Sequence, residues 1–205
     1  RRGIGQGGVI AVKLANRVEL IVALFAAWRL GAVVTPINPA LGAAETAYQV
    51  RDSGATLLIG DEPDAGDLGQ DSAKTLHVSE LTEGEAGAPT PAAASPSSDA
   101  VALLIYTSGT TGSPKGVMLT HANLDAMTAS FIEWFALTEA DHSLLVLPLF
   151  HANGIVLGTL TPLRAGGQVT ITGRFSRDRF FDDVQKYRPT YFSAVPAIYA
   201  LLSSP

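Results

Sequence analysis

The sequence predicts an α/β fold, an open and mostly parallel sheet with helices on both faces, from three observations. Short β-branched or apolar runs alternate with helix-length segments, the connections between them are short, and the run Ala100–Tyr106 is apolar from end to end, as a strand covered on both faces must be. The 205 residues, 47% hydrophobic and 16% charged, suit one globular domain or two closely joined subdomains.

In chain order, "VIAVKL" (Val9–Leu14) reads as a strand and Arg17–Leu30, apolar on nearly every side, as a buried helix stopped by Gly31. "AVVTP" reads as a second strand, Leu41–Ser53 as a helix ended by Gly54, and "ATLLIG" (Ala55–Gly60) as a third strand. Glu83–Asp99, rich in Ala, Pro, Ser and Gly and without periodicity, reads as a surface loop. Strand Ala100–Tyr106 follows, then a Gly/Ser/Thr-rich loop, a short strand "GVMLT", and a helix from His121 to about Ala136 with Thr120 and Asn123 as a weak cap. Beyond Asp141 come strand "SLLVL", turn "PLFHANG", helix Ile155–Arg164, strand "QVTIT", helix Ser176–Tyr187, strand "TYFSAV" and a helix from Pro196. A subdomain boundary near Thr138–His142 divides the chain into a first α/β subdomain, 1–139, and the beginning of a second, 140–205.

Composition narrows the function. A net charge of −5 with scattered basic residues argues against a nucleic-acid footprint. The absence of cysteine excludes disulfides and thiolate metal sites and is compatible with a cytoplasmic location. The most apolar run, Leu20–Trp28, is far shorter than the ~20 residues a membrane-spanning helix needs.

The sharpest feature is "YTSGTTGSPKG", Tyr106–Gly116, at the carboxyl end of the apolar strand, where α/β sheets bind ligands. Gly109, Gly112 and Gly116 let the backbone turn and approach a ligand, Thr107, Ser108, Thr110, Thr111 and Ser113 offer hydroxyls, and Lys115 carries the one positive charge. Amides, hydroxyls and a lysine are what a polyphosphate needs, and a single lysine leaves enough charge uncompensated to imply Mg2+. The loop is not the common GxxxxGK[ST] type: Pro114 precedes the lysine, Gly116 follows it, and a strand comes next, so no helix N-terminus is expected against the phosphates. The plain alternative is a flexible linker.

"YTSGTTGSPKG" resembles the phosphate-loop signature of the adenylate-forming superfamily of acyl-CoA synthetases, luciferase and peptide-synthetase adenylation domains. "LFAAWRLGAVVTPINP" (Leu24–Pro39), "LPLFHANGI" (Leu147–Ile155) and "YFSAVPAIYALL" (Tyr191–Leu202) are similar to family segments in the same order, so the resemblance covers essentially the whole chain. It implies the N-terminal part of an acetyl-CoA-synthetase-like fold. It also implies an acid–CoA ligase that forms an acyl-adenylate from a carboxylic acid and ATP, releases pyrophosphate, and then makes a thioester with coenzyme A.

On this resemblance Thr107, Ser108, Gly109, Thr110, Thr111, Gly112 and Lys115 bind the ATP phosphates, and His151, Asn153 and Gly154 position the acyl substrate, Gly154 by keeping the following helix close. No metal ligand is assigned, and no residue is assigned to catalysis itself. His77, His121 and His142 read as structural or surface residues, and the Arg174, Arg177 and Arg179 cluster as a solvated helix start. The family's "GxTE" and "TGD" segments and its C-terminal domain are not found before Pro205, so the chain reads as a fragment without ligase activity of its own. The alternatives are a peptide-synthetase adenylation domain, which the histidine of "PLFHANGI" argues against, and a non-catalytic nucleotide-binding module. The acid is not readable, fatty, aryl and short branched acids fitting equally well, and nothing bears on the oligomeric state.

Overall fold

A computed structural model of the chain describes residues 3–61, 73–81, 93–107 and 112–204. It packs as two compact units, one of residues 1–14 and 18–122, the other of residues 15–17 and 123–205. The units divide at the start of the helix that follows the glycine-rich loop. That helix is tied to the second unit by Arg164, whose guanidinium pairs with Asp125 at 2.8 Å and donates to the Thr128 hydroxyl at 2.6 Å.

The first unit holds β1 (Val9–Lys13), α1 (Val18–Arg29), β2 (Val33–Pro36), α2 (Ala43–Asp52), β3 (Ala55–Gly60), β4 (Lys74–His77), β5 (Val101–Thr107) and β6 (Lys115–Thr120). The strands form one sheet in the order β4-β3-β1-β2-β5-β6, parallel except for the antiparallel edge β6. The central strands are buried almost continuously, with Ala11, Val12, Val34, Ala102 and Leu103 fully enclosed, which is why they read as apolar runs and not as alternating ones. On α2 the buried Ala47 and Val50 pack with Ala11, Ile37, Ala55 and Leu58. On α1, Leu20, Ala23, Leu24 and Ala27 are buried, and the Trp28 indole N–H donates to the Ala102 carbonyl at 2.9 Å. His121 packs edge-on against that indole at 5.6 Å, the structural role expected of it, and burial lowers its pKa. Strand β4 and the 3-10 turn Val78–Leu81 after it were not foreseen: "KTLH" is too short and too polar to announce an edge strand. Of the loop expected at 83–99, residues 83–92 lie outside the described residues, and 93–99 form neither helix nor strand.

The second unit contains most of α3 (His121–Phe135), then β7 (His142–Leu145), α4 (Ala152–Ile155), α5 (Thr161–Arg164), β8 (Gln168–Ile171), α6 (Arg177–Tyr187), β9 (Tyr191–Phe192) and α7 (Pro196–Ser203). Its three parallel strands run β8-β7-β9, and Leu144, Val146, Leu147 and Phe180 make its core. "TYFSAV" contributes only two residues of strand, because Pro196 starts α7 directly afterwards.

The helix read as Ile155–Arg164 begins earlier, at Ala152, and carries a π turn over Val156–Leu160 between α4 and α5. Pro162 explains the irregularity. It has no N–H to donate to the Gly158 carbonyl four residues back, and the buried Ser143 hydroxyl supplies that hydrogen bond from β7 at 2.9 Å. The Thr159 and Thr161 hydroxyls donate to the carbonyls five residues before them, Gly154 and Val156, at 2.9 and 2.8 Å, so the widened turn leaves these carbonyls satisfied.

Candidate functional site

The glycine and hydroxyl loop is the connection of a β-hairpin. Strands β5 and β6 are antiparallel, and their register sets Tyr106 opposite Gly116 and Thr107 opposite Lys115. Both Thr107 and Lys115 are exposed at the carboxyl end of β5, one a hydroxyl donor and the other an ammonium. Gly112 has φ +132°, a conformation that side chains rarely adopt, so this glycine is required by the turn itself. Gly116 serves differently from the turning role expected of it. It lies in β6, and a Cβ there would stand 2.9 Å from Leu104 Cδ1 and 3.3 Å from the Tyr106 ring, so the missing side chain leaves room for its neighbours on β5. Ser108, Gly109, Thr110 and Thr111 lie outside the described residues. A strand, not a helix, does follow the loop, as "VMLT" indicated.

The neck of this hairpin is held from one side. Tyr48 on α2 donates its hydroxyl to the Pro114 carbonyl at 3.0 Å, immediately before Lys115. Tyr106, immediately before Thr107, donates its hydroxyl to Asp52 on the same helix at 2.6 Å. Burial, reinforced by the Asp52 carboxylate, pushes the Tyr106 phenol above its ordinary range, so it remains a donor at any physiological pH.

The second group of expected residues lies in the second unit. The chain leaves β7 through Val146–Phe150, and His151, exposed and ring-to-ring with Phe150 at 4.5 Å, is the extended residue before α4. Asn153 accepts a hydrogen bond from the Ser193 hydroxyl at 3.0 Å, which links this turn to the segment after β9. Gly154 is buried, and a Cβ on it would sit 2.3 Å from the Pro148 carbonyl oxygen. The helix therefore does approach the preceding turn as closely as a glycine allows.

Asn16, which no sequence argument singled out, fastens the same turn. Its side-chain amide donates to the Leu147 carbonyl at 2.8 Å and to the Gly173 carbonyl at 3.2 Å, and its oxygen accepts from the Leu149 N–H at 2.8 Å. Locally, Asn16 followed by Glu19 looks like a helix capping pair. Its partners lie 131 and more residues away, where no local pattern points.

Comparison with known proteins decides the family. The model of the family described as "AMP-binding enzyme" matches residues 1–204. The chain belongs to the AMP-binding enzymes. Among relatives of this family, an oxalate–CoA ligase of Arabidopsis thaliana is 35% identical over 217 residues, covering 98% of this chain and 42% of that protein. ATP-bound MatB of Rhodopseudomonas palustris superposes with a TM-score of 0.88 at 29% identity, over all of this chain and 42% of MatB. The o-succinylbenzoate CoA synthetase of Bacillus subtilis, solved with its acyl-adenylate intermediate, gives 0.87 at 32% identity over 97% of this chain and 52% of the other. The chain thus spans about two fifths of the length of the curated relatives it matches. The predicted fold, a mostly parallel sheet with helices of the acyl-CoA-synthetase N-terminal type, is the one these superpositions give. No helix among the described residues is long and apolar enough to cross a membrane.

Proposed function

We propose that this chain is the N-terminal part of an ATP-dependent acid–CoA ligase. The observation that carries the proposal is the pairing of Thr107 with Lys115 at the turn end of the β5–β6 hairpin, which sets a hydroxyl and an ammonium beside the glycine-rich turn. Relatives named as CoA ligases, and a fold neighbour holding ATP, support the same reading.

The chemistry follows from charge. A carboxylate oxygen attacks the α-phosphorus of ATP, the bond from that phosphorus to the β-phosphate bridging oxygen breaks, and pyrophosphate leaves with added negative charge. Lys115, with Thr107 and the loop at Ser108, Gly109, Thr110, Thr111 and Gly112, stabilises that charge on the β- and γ-phosphates. A preorganised loop contributes mainly through position. Coenzyme A then attacks the acyl carbonyl through its thiol sulfur, and AMP departs. His151, Asn153 and Gly154 border the acid, His151 as a positioning residue. Among the described residues no group of three acidic or histidine side chains could hold a metal. Magnesium would accompany the ATP phosphates and offset the charge that a single lysine leaves uncompensated.

Lys115→Ala in the complete protein tests the assignment. Losing one charge-assisted contact of about 1.5–3 kcal/mol predicts a roughly ten- to hundredfold slower ATP–pyrophosphate exchange, with carboxylate binding little changed. Unchanged exchange would refute the role of the loop.

A further inference from the structure

The phosphate loop enters and leaves the sheet at two residues that belong to neither the loop's hydroxyl set nor its lysine. Tyr106 precedes Thr107, and Pro114 precedes Lys115, and each is bonded to α2. The two α2 residues, Tyr48 and Asp52, stand four apart and so share one face of the helix. That helix is itself well fixed: Ala47 and Val50 are buried in the sheet core, and its first turn is closed by Glu45, which accepts from the Gly42 N–H at 3.0 Å. Strand β6, by contrast, is a sheet edge with one neighbour among the described residues, and Lys115, Val117 and Met118 are exposed along it. Left to its ladder alone, the end of β6 that carries Lys115 would be free to fray. At that end the Tyr48 hydroxyl holds the Pro114 carbonyl at 3.0 Å.

We propose that Tyr48 and Asp52 are positioning residues for ATP, a two-point brace that fixes the start and the end of the phosphate loop against α2. The proposal rests on the reading of that loop as the ATP site. Tyr48 acts on Lys115 through the Pro114 carbonyl, and Asp52 acts on Thr107 through the Tyr106 ring, which also covers Gly116 on β6. Neither touches a phosphate. Their effect is to remove freedom from the loop before the nucleotide arrives, so that less ordering is left for binding.

The test uses the complete protein, with ATP–pyrophosphate exchange and limited trypsin cleavage after Lys115 as separate readouts. Tyr48→Phe, which keeps the ring and loses one hydrogen bond, should raise the KM for ATP about two- to tenfold. The KM for the acid should hold, and cleavage at Lys115 should quicken. Asp52→Ala should do the same, while Asp52→Asn, which retains an oxygen to accept from Tyr106, should stay near wild type. Unchanged cleavage and unchanged KM for ATP in both Tyr48→Phe and Asp52→Ala would overturn the brace. Faster cleavage with an unchanged KM for ATP would overturn its role in nucleotide binding, as would an equal rise in the KM for the acid. A wild-type protein with no exchange against a panel of carboxylic acids, whose Tyr48→Phe variant is nevertheless cleaved faster, would instead sink the reading of the loop as the ATP site.

Discussion

Gly154→Ala is the substitution on which the geometry is most exacting. The added Cβ would lie 2.3 Å from the Pro148 carbonyl oxygen, 2.9 Å from its carbon and 3.2 Å from the Leu147 oxygen. Ordinary contact begins near 3.4 Å, so relief requires a movement of about 1 Å between two backbone segments. The turn cannot simply retreat, because Asn16 grips the Leu147 carbonyl and the Leu149 N–H, and the Pro148 carbonyl accepts from the His151 N–H at 3.2 Å. Overpacking costs about 1–3 kcal/mol, and losing the Asn16 pairing about 1–3 more. Ala returns about 1 kcal/mol as the better helix former. The expected net loss is about 1–5 kcal/mol, concentrated around His151. Gly158→Ala is the control: its Cβ clashes with the Leu145 Cδ1 methyl, at 2.6 Å, which a side-chain rotation can move, and meets backbone only at an ordinary 3.6 Å. Hydrogen exchange at the Leu149 and His151 amides, with the KM for the acid, would report both. If Gly154→Ala protects those amides as well as wild type, or Gly158→Ala costs as much, then the close approach of α4 to its turn does not matter as argued.

Two further outcomes can be checked independently. Asn16→Ala orphans the Leu149 N–H, on a residue that is fully buried, and should cost about 2–3 kcal/mol with faster exchange of that amide. Asn16→Asp keeps an acceptor for the Leu149 N–H but cannot donate to the Leu147 and Gly173 carbonyls, so it should lose stability too; an unchanged Leu149 exchange rate in Asn16→Ala would contradict the assignment. His121 is held neutral by burial, its pKa lowered from 6.5. The unfolded chain then binds a proton that the folded one refuses as pH falls below 6.5, so the contribution of His121 to stability is complete above that value. It is lost on acidification towards the lowered folded pKa. Unfolding midpoints followed from pH 7.5 to 5 should fall less steeply for His121→Phe than for wild type, and parallel curves would show that His121 carries none of the dependence.

Much of the fold was legible because parallel strands enclosed on both faces must be apolar runs, and Val9–Lys13, Val33–Pro36, Ala55–Gly60 and Val101–Thr107 are such runs. Strand β4 was not legible, since a half-exposed edge strand of four residues needs no apolar run. The π turn was hidden for another reason: Pro162 marks a missing donor, but only the packing of β7 shows that Ser143 replaces it.

The candidate site divides along the same line. The proposed phosphate loop rests on its own residues, because glycines, hydroxyls and a lysine would act on a phosphate at the positions where they stand in the chain. Its supports were not legible there. Tyr48 and Asp52 are 66 and 54 residues from Pro114 and Tyr106, and Asn16 is 131 from Leu147. A tyrosine on a helix, or an asparagine before one, carries no sign of which distant carbonyl it will meet. The sequence alone determined which groups this protein can offer a nucleotide, since that is written in residue type and spacing. Only the tertiary structure decided what holds them still, because a hydrogen bond between distant segments depends on the packing of the whole sheet and its helices, not on any local pattern.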